Sequence, residues 1–300
     1  MADYSISVKN FSKSFGKLKA VDSLSFDVDE GDVFAFLGTN GSGKTTTIRC
    51  LLKIYQPDSG TLLINNKEYS DQLNSVLGYL PEERGLYKDA KVLDMLLYTA
   101  CLRGINKETA LTKSLKYLEQ VDLINHKDKK VSQLSSGMQQ KVQLGTTLIH
   151  DPEILILDEP FKGLDPLNRQ LFIDIFLEKA KNGTTILYST HVIDEAQKMA
   201  NKLLIINKGK RIEYGTNTEV RKKYGSNNLI VEFIGKRPLK NHPLYTSIVT
   251  SNTAEITPKD KHSTNEIIQA LIKDGTQIIE CKVDYPSLNQ IFIKISKEDV

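Results

Sequence analysis

Tryptophan is absent, and cysteine occurs only at Cys50, Cys101 and Cys281, far apart and without the paired spacing of a metal knuckle or a disulfide framework. That usage fits a reducing compartment and excludes a small stapled secreted domain. Long apolar runs are also missing: nothing approaches the roughly 20 residues needed to span a bilayer. The start, Met1-Ala2-Asp3-Tyr4, lacks the basic flank and apolar segment of a secretory signal, so the polypeptide is expected to stay in the cytoplasm. Charge of one sign is not in excess either. Forty Lys and Arg against 37 Asp and Glu leave a formal +3, which gives no global electrostatic argument for nucleic acid as a partner.

What is present reads as a folded globular protein, with 40% hydrophobic and 26% charged residues. Its 300 residues leave room for a large domain and a smaller one. From Tyr4 to about Gly215, short β-rich runs alternate with helical stretches, the pattern of an α/β domain with a largely parallel sheet. Val33–Leu37, Ile154–Leu157 and Thr185–Tyr188 are apolar runs suited to central strands covered on both faces. Leucine-rich helical spacing from Val92 to Val121, broken around Arg103-Gly104-Ile105-Asn106, predicts two helices forming a small lobe. Arg221-Lys222-Lys223 and Gly225-Ser226-Asn227-Asn228 read as a linker, which puts a domain boundary near residue 222. Beyond it, β-like runs at Leu229–Ile234 and Ile278–Val283, with helices near Thr264–Lys273 and Ser287–Ile295, predict a small α+β module. The organisation expected is therefore 1–221 and 222–300.

Gly38-Thr39-Asn40-Gly41-Ser42-Gly43-Lys44-Thr45-Thr46 follows a predicted strand and precedes a helical run, the context that a G-x-x-x-x-G-K-[ST] phosphate loop requires. Glycines let consecutive backbone N–H groups turn inward on phosphate oxygens, and the following helix adds the positive end of its dipole. Lys44 is expected to reach the β- and γ-phosphates of a nucleotide. Thr45 supplies a hydroxyl for Mg²⁺, and Asp158, at the end of the Ile154–Leu157 run, supplies the distant carboxylate of that site.

Leu134-Ser135-Ser136-Gly137-Met138-Gln139-Gln140-Lys141, shortly before Asp158-Glu159-Pro160, resembles the ABC ATPase signature ahead of its Walker B strand. The resemblance spans residues 4 to about 215. It implies a P-loop NTPase core with a RecA-like, mostly parallel sheet, an antiparallel β subdomain and a helical subdomain. It puts Phe15 in the place of the adenine-stacking aromatic, Gly163-Leu164-Asp165 in that of the D-loop, and His191 in that of the switch histidine. Taken without that context, Phe15 reads as a core aromatic and His191 as a satisfied structural histidine. The resemblance further implies that Asp158 holds Mg²⁺, that Glu159 orients or deprotonates the attacking water, and that His191 contacts the γ-phosphate. Ser135 and the backbone of Gly137 are then expected to bind the phosphate of ATP held by a second ATPase subunit, in a homodimer or a heterodimer.

Three positions depart from the family pattern. Glu82 stands where the Q-loop glutamine belongs, replacing a neutral amide by an acceptor that would serve a metal but repel an uncomplexed γ-phosphate. Ser136 replaces the first signature glycine and Met138 the usual glutamine. Lys162 occupies a D-loop position where small polar residues are usual, and the sequence offers no reason for it.

The run from Tyr79 to Tyr87, Tyr-Leu-Pro-Glu-Glu-Arg-Gly-Leu-Tyr, together with the C-terminal module, resembles ATPases of ABC-2-type exporters, including sodium-efflux and drug-resistance ATPases. In that group the tail ends with a proline-serine-leucine helix. Here it is Pro286-Ser287-Leu288, with Leu288, Ile291 and Phe292 on one apolar stripe read as core packing. The implied partners are membrane-spanning permease subunits, and the implied location is peripheral, on the inner face of the cell membrane. Lys208, Lys210, Arg211, Arg221, Lys222 and Lys223 could touch anionic headgroups there but read more simply as solvated charge. The alternative is a soluble nucleotide-gated ABC assembly or regulatory protein with weak hydrolysis. A ribosome- or DNA-acting ABC protein would need a second cassette, a coiled-coil insert or a strongly basic face, which are not found.

Overall fold

The computed structural model describes residues 4–83, 85–225, 228–259 and 263–298, with side chains described to Ile295. It divides into two compact units, Met1–Asn217 and Thr218–Val300. Arg84, Ser226 and Asn227, which belong to two of the sequence features above, lie outside the described residues.

The first unit opens with β1 (Tyr4–Phe15), β2 (Leu18–Asp29) and β3 (Val33–Leu37), followed by helix α1 (Lys44–Leu51), β4 (Ser59–Ile64) and β5 (Leu77–Leu80). Helices α2 (Val92–Leu102), α3 (Lys107–Gln120) and α4 (Ser136–Leu148) come next. The order then runs β6 (Ile154–Asp158), α5 (Pro166–Lys181), β7 (Thr185–Thr190), α6 (Ile193–Met199), β8 (Lys202–Asn207) and β9 (Lys210–Thr216). A six-stranded sheet has the order β5-β6-β7-β3-β8-β9, parallel except for β9. A separate antiparallel sheet has the order β2-β1-β4.

Every residue of β3, β6 and β7 is buried, which is why these strands read as unbroken apolar runs rather than alternating ones. Each Leu, Ile or Phe so buried contributes about 1.5–3 kcal/mol relative to exposure, which offsets the entropy of ordering the strand. Because β5, β6, β7 and β3 all run the same way, their C-terminal ends lie along one edge. That edge of an open α/β sheet is where polar loops gather and ligands bind.

The helical lobe breaks where the sequence indicates. Helix α2 stops at Leu102, Gly104 takes a left-handed φ of 84°, and Asn106 caps α3 by accepting the Thr109 N–H at 2.9 Å.

Helix α7 (Asn217–Tyr224) carries the chain into the second unit, and here the structure corrects the linker reading. Arg221, Lys222 and Lys223 form the last turn of α7, where cations complement the negative end of the helix dipole. A run of basic residues before a glycine is a helix C-terminus signal as much as a linker signal. Arg221 is also no solvated charge: its guanidinium donates to the carbonyls of Pro286 and Tyr285 at 3.0 and 3.1 Å.

The second unit continues with β10 (Leu229–Gly235), β11 (Tyr245–Thr250), β12 (Thr253–Pro258), α8 (Thr264–Lys273), β13 (Thr276–Val283) and α9 (Leu288–Glu298). Its antiparallel sheet has the order β11-β12-β10-β13 and shares a core with α8 through Leu229, Val231, Phe233, Ile256, Ile267 and Leu271. Ser287 caps α9 rather than belonging to it, accepting the Gln290 N–H at 3.2 Å. The buried stripe of α9 is Leu288, Ile291 and Ile295, with Phe292 only half-buried.

Candidate functional site

The loop between β3 and α1 is shaped by its glycines. Gly41 and Gly43 have φ of 77° and 110°, conformations that residues with a Cβ rarely adopt. Gly38 is required for a different reason: a Cβ there would lie 2.6 Å from the Ile206 carbonyl. The β8–β9 turn braces the loop, since the Gly209 N–H donates to the Ser42 carbonyl at 3.0 Å. Asn40 is exposed in the loop and Thr46 is half-buried in the first turn of α1.

Lys44 is 5% exposed, and its ammonium donates to the carbonyls of Gly38 and Thr39 at 2.8 and 3.2 Å while lying 3.4 Å from Glu159 Oε1. A buried lysine held mainly by loop carbonyls is a cation ready to exchange those acceptors for phosphate oxygens. The Ser42 hydroxyl is buried in the same loop without a hydrogen-bond partner.

Asp158 and Ser189 sit in direct register on β6 and β7, which sets up the next layer. The Ser189 hydroxyl donates to Asp158 Oδ1 at 2.6 Å and accepts the Glu159 N–H at 2.9 Å, while Thr45 Oγ1 donates to the same Asp158 oxygen at 3.2 Å. Burial raises the Asp158 carboxyl above the usual range, the Ser189 and Thr45 hydroxyls oppose that, and the like charges of Glu82 and Glu159 add to it. The other oxygen, Oδ2, is buried with no hydrogen-bond partner. A desolvated, unpartnered carboxylate oxygen beside a threonine hydroxyl fits the hard-oxygen donor set that Mg²⁺ takes. Among the described residues, no three or more His, Cys, Asp or Glu gather as a metal cluster of their own.

Glu159 is 7% exposed and holds a left-handed φ of 50°, a backbone state costing a non-glycine residue about 1–3 kcal/mol. Its Oε2 lies 2.9 Å from His191 Nδ1, and Oε1 has no hydrogen bond. Glu159 therefore sits between Lys44 and His191. His191 follows directly on Thr190, the last residue of β7. The Thr190 hydroxyl accepts the Val192 N–H at 3.0 Å and donates to the buried Glu195 carboxylate at 2.7 Å. Arg169 of α5 reaches the other Glu195 oxygen at 3.5 Å.

The two unexplained charges meet. Lys162 Nζ lies 2.6 Å from Glu82 Oε1, and that contact raises the lysine pKa further. The Glu82 loop is itself pinned from α4, because the Gln143 amide donates to the carbonyls of Pro81 and Glu83, both at 3.2 Å. Ser135 caps α4 by accepting the Met138 N–H at 3.3 Å, and Gly137 lies in its first turn with only Asn168 near where a Cβ would stand. Among the described residues no hydrogen bond joins Ser135 or Gly137 to the Lys44 cluster. Asp165 caps α5, accepting the Asn168 N–H at 3.0 Å.

Phe15 is 44% exposed at the tip of the β1–β2 hairpin, edge-to-face with Tyr55 at 5.5 Å and with the Lys13 ammonium 5.4 Å from its ring centre. The structure thus brings together Lys44, Thr45, Asp158, Glu159 and His191, and leaves Phe15, Ser135 and Gly137 on separate elements. Ser189, Gln143, Glu195 and Arg169 escape sequence reasoning. Ser189 carried a usable signal, a polar residue ending a buried strand beside the expected metal strand.

Residues 21–162 match the family model described as ABC transporter, and residues 215–296 match that of the ATP-binding protein DrrA1-3-like, C-terminal domain. The chain is 34% identical over 291 residues to the uncharacterized ABC transporter ATP-binding protein YhaQ of Bacillus subtilis, covering 96% of this chain and 97% of the relative. It is 35% identical over 213 residues to the Nod factor export ATP-binding protein I of Burkholderia lata, covering 70% of each. Among solved structures, cbiO1 from Clostridium perfringens, part of the ABC transporter complex cbiONQ, superposes with a TM-score of 0.63 at 27% identity, covering 74% of this chain and 94% of that one. The chain belongs to the ATP-binding proteins of ABC transporters, and it is an ATPase.

Proposed function

We propose that this ATPase powers an exporter of the ABC-2 type, docked peripherally on permease subunits at the inner face of the cell membrane. The observation that carries the motor reading is the chain of contacts Lys44–Glu159–His191 beside Asp158, in which the lysine and both carboxylates are buried and the histidine is exposed at the outer end. In this reading Gly38 to Thr46 cradle the phosphates of ATP, Phe15 stacks on the adenine, and Lys44 leaves its loop carbonyls for the β- and γ-phosphates. Thr45, Asp158 and Glu82 would hold Mg²⁺, which neutralises charge on the phosphate oxygens. Glu159 is the base that orients the attacking water, and His191, within hydrogen-bond reach of it, keeps the carboxylate turned toward the γ-phosphate. Ser135 and Gly137 serve the nucleotide of a second ATPase subunit, so that ATP closes a dimer.

Coupling to the membrane part runs through α4 and the loop it pins. Gln143 fastens the Glu82 loop, and next to it Tyr87 and Tyr98 pack edge-to-face at 6.0 Å while both remain exposed, together with Leu102. An exposed aromatic pair on a helical lobe suits the apolar docking of a partner's helix. The first unit, Met1–Asn217, is the motor and the second, Thr218–Val300, an accessory α+β domain. The exporter assignment rests on the Tyr79–Tyr87 run, the DrrA1-3-like C-terminal match and the exporting relative.

The test is co-purification with the membrane protein encoded beside this chain. A stable complex whose ATP hydrolysis exceeds that of the isolated chain supports the reading. Absence of any membrane partner, with ATP bound but not hydrolysed, would instead support a nucleotide-gated assembly protein.

A further inference from the structure

We infer that Lys162 is a positioning residue for the metal site: it is the built-in countercharge of Glu82, and it sets how strongly nucleotide binding depends on metal. The inference rests on the reading of Glu82 as a metal ligand. Glu82 follows β5, and Asp158 ends β6 with Glu159 next in the chain; the two strands are parallel neighbours with Leu80 opposite Leu157, so the three carboxyl groups leave the same sheet edge. Lys44 answers Glu159 from within the loop, and Lys162 answers Glu82 at 2.6 Å from the turn after β6, where its own N–H donates to the Glu159 carbonyl at 3.1 Å. The turn that presents Glu159 therefore also presents the cation that neutralises Glu82.

A neutral amide at position 82 would need no such partner. A carboxylate there adds a negative charge facing incoming ATP, and a lysine on it removes most of that repulsion before any metal arrives. The lysine engages Glu82 through Oε1, so the carboxylate can serve as a metal ligand once the ammonium swings out. Lys162 has the freedom to do so, being 60% exposed. The two departures from the family pattern are one device: an acidic metal ligand and its removable counterion.

The experiment measures binding of a fluorescent ATP analogue to the full-length chain, once in EDTA and once in saturating Mg²⁺, and takes the ratio of the two dissociation constants. Lys162→Gln should raise that ratio about threefold, chiefly by weakening metal-free binding, as expected for an exposed charge pair. Lys162→Arg should leave it unchanged. Glu82→Gln should lower the ratio, and adding Lys162→Gln to it should produce no further change. An unchanged ratio in Lys162→Gln, with Glu82→Gln lowering it, overturns the role of Lys162 alone. An unchanged ratio in Glu82→Gln removes Glu82 from the metal set, and the inference falls with it. An equal rise from Lys162→Gln in both backgrounds shows the lysine acting on the phosphates directly and also overturns the proposal.

Discussion

The hydroxyl of Ser189 accepts the backbone N–H of Glu159, at 2.9 Å, and so supports the one residue of the phosphate edge that is both acidic and in a left-handed conformation. The same hydroxyl gives its proton to Asp158 at 2.6 Å. One side chain thus fixes both the Asp158 carboxylate and the backbone from which the Glu159 side chain projects. Removing it leaves a buried N–H unsatisfied at a cost of about 1–3 kcal/mol.

Ser189→Ala is therefore expected to lower the hydrolysis rate at least tenfold while changing the affinity for ATP by less than threefold. Paired turnover and nucleotide-binding assays check this. Equal losses in both would place Ser189 in binding rather than in holding Glu159.

Gln143 connects α4 to the loop of Glu82 by two hydrogen bonds and is 3% exposed. Gln143→Leu keeps the bulk and removes both donors. The isolated chain should lose about 1–2 kcal/mol of stability, and stimulation of hydrolysis by the membrane partner should fall more than basal hydrolysis does. Full stimulation in the variant would separate this link from coupling.

His150 donates through Nε2 to the Leu77 carbonyl as a neutral imidazole, its other nitrogen is buried without a partner, and burial pulls its pKa down to about 4. An unfolded histidine titrates near 6.5, so the unfolded chain binds the additional proton first between those values. The stability from a neutral His150 is complete above about pH 6.5 and is lost as pH falls toward 4, by about 2 kcal/mol after discounting for its partial exposure. His150→Gln should flatten that part of the curve of melting temperature against pH. An unchanged slope would mean that other groups govern acid sensitivity there.

Much of this site was legible because its chemistry is local in sequence. The phosphate loop declares itself through fixed glycine spacing, and Asp158 through a polar residue ending an apolar run. Strand burial was equally readable, since β3, β6 and β7 are covered on both faces. The links that were not legible are contacts across the chain. Ser189 meets Asp158 only because β6 and β7 are parallel neighbours in one register, and Glu82 meets Lys162 across 80 positions. Each of those charges seemed anomalous alone and is ordinary beside the other. The linker reading at Arg221–Lys223 failed for a related reason: charge composition does not reveal that the helix beginning at Asn217 still has a turn to complete.

The most direct test of the central account is steady-state hydrolysis of ATP in Mg²⁺ by the wild-type chain and by Glu159→Gln, with the association state of each measured alongside. The account predicts turnover in the wild type, its loss by at least a hundredfold in Glu159→Gln, and retention by that variant of ATP in a dimer. Wild-type turnover that survives Glu159→Gln would contradict the assignment of Glu159 as the base at this site.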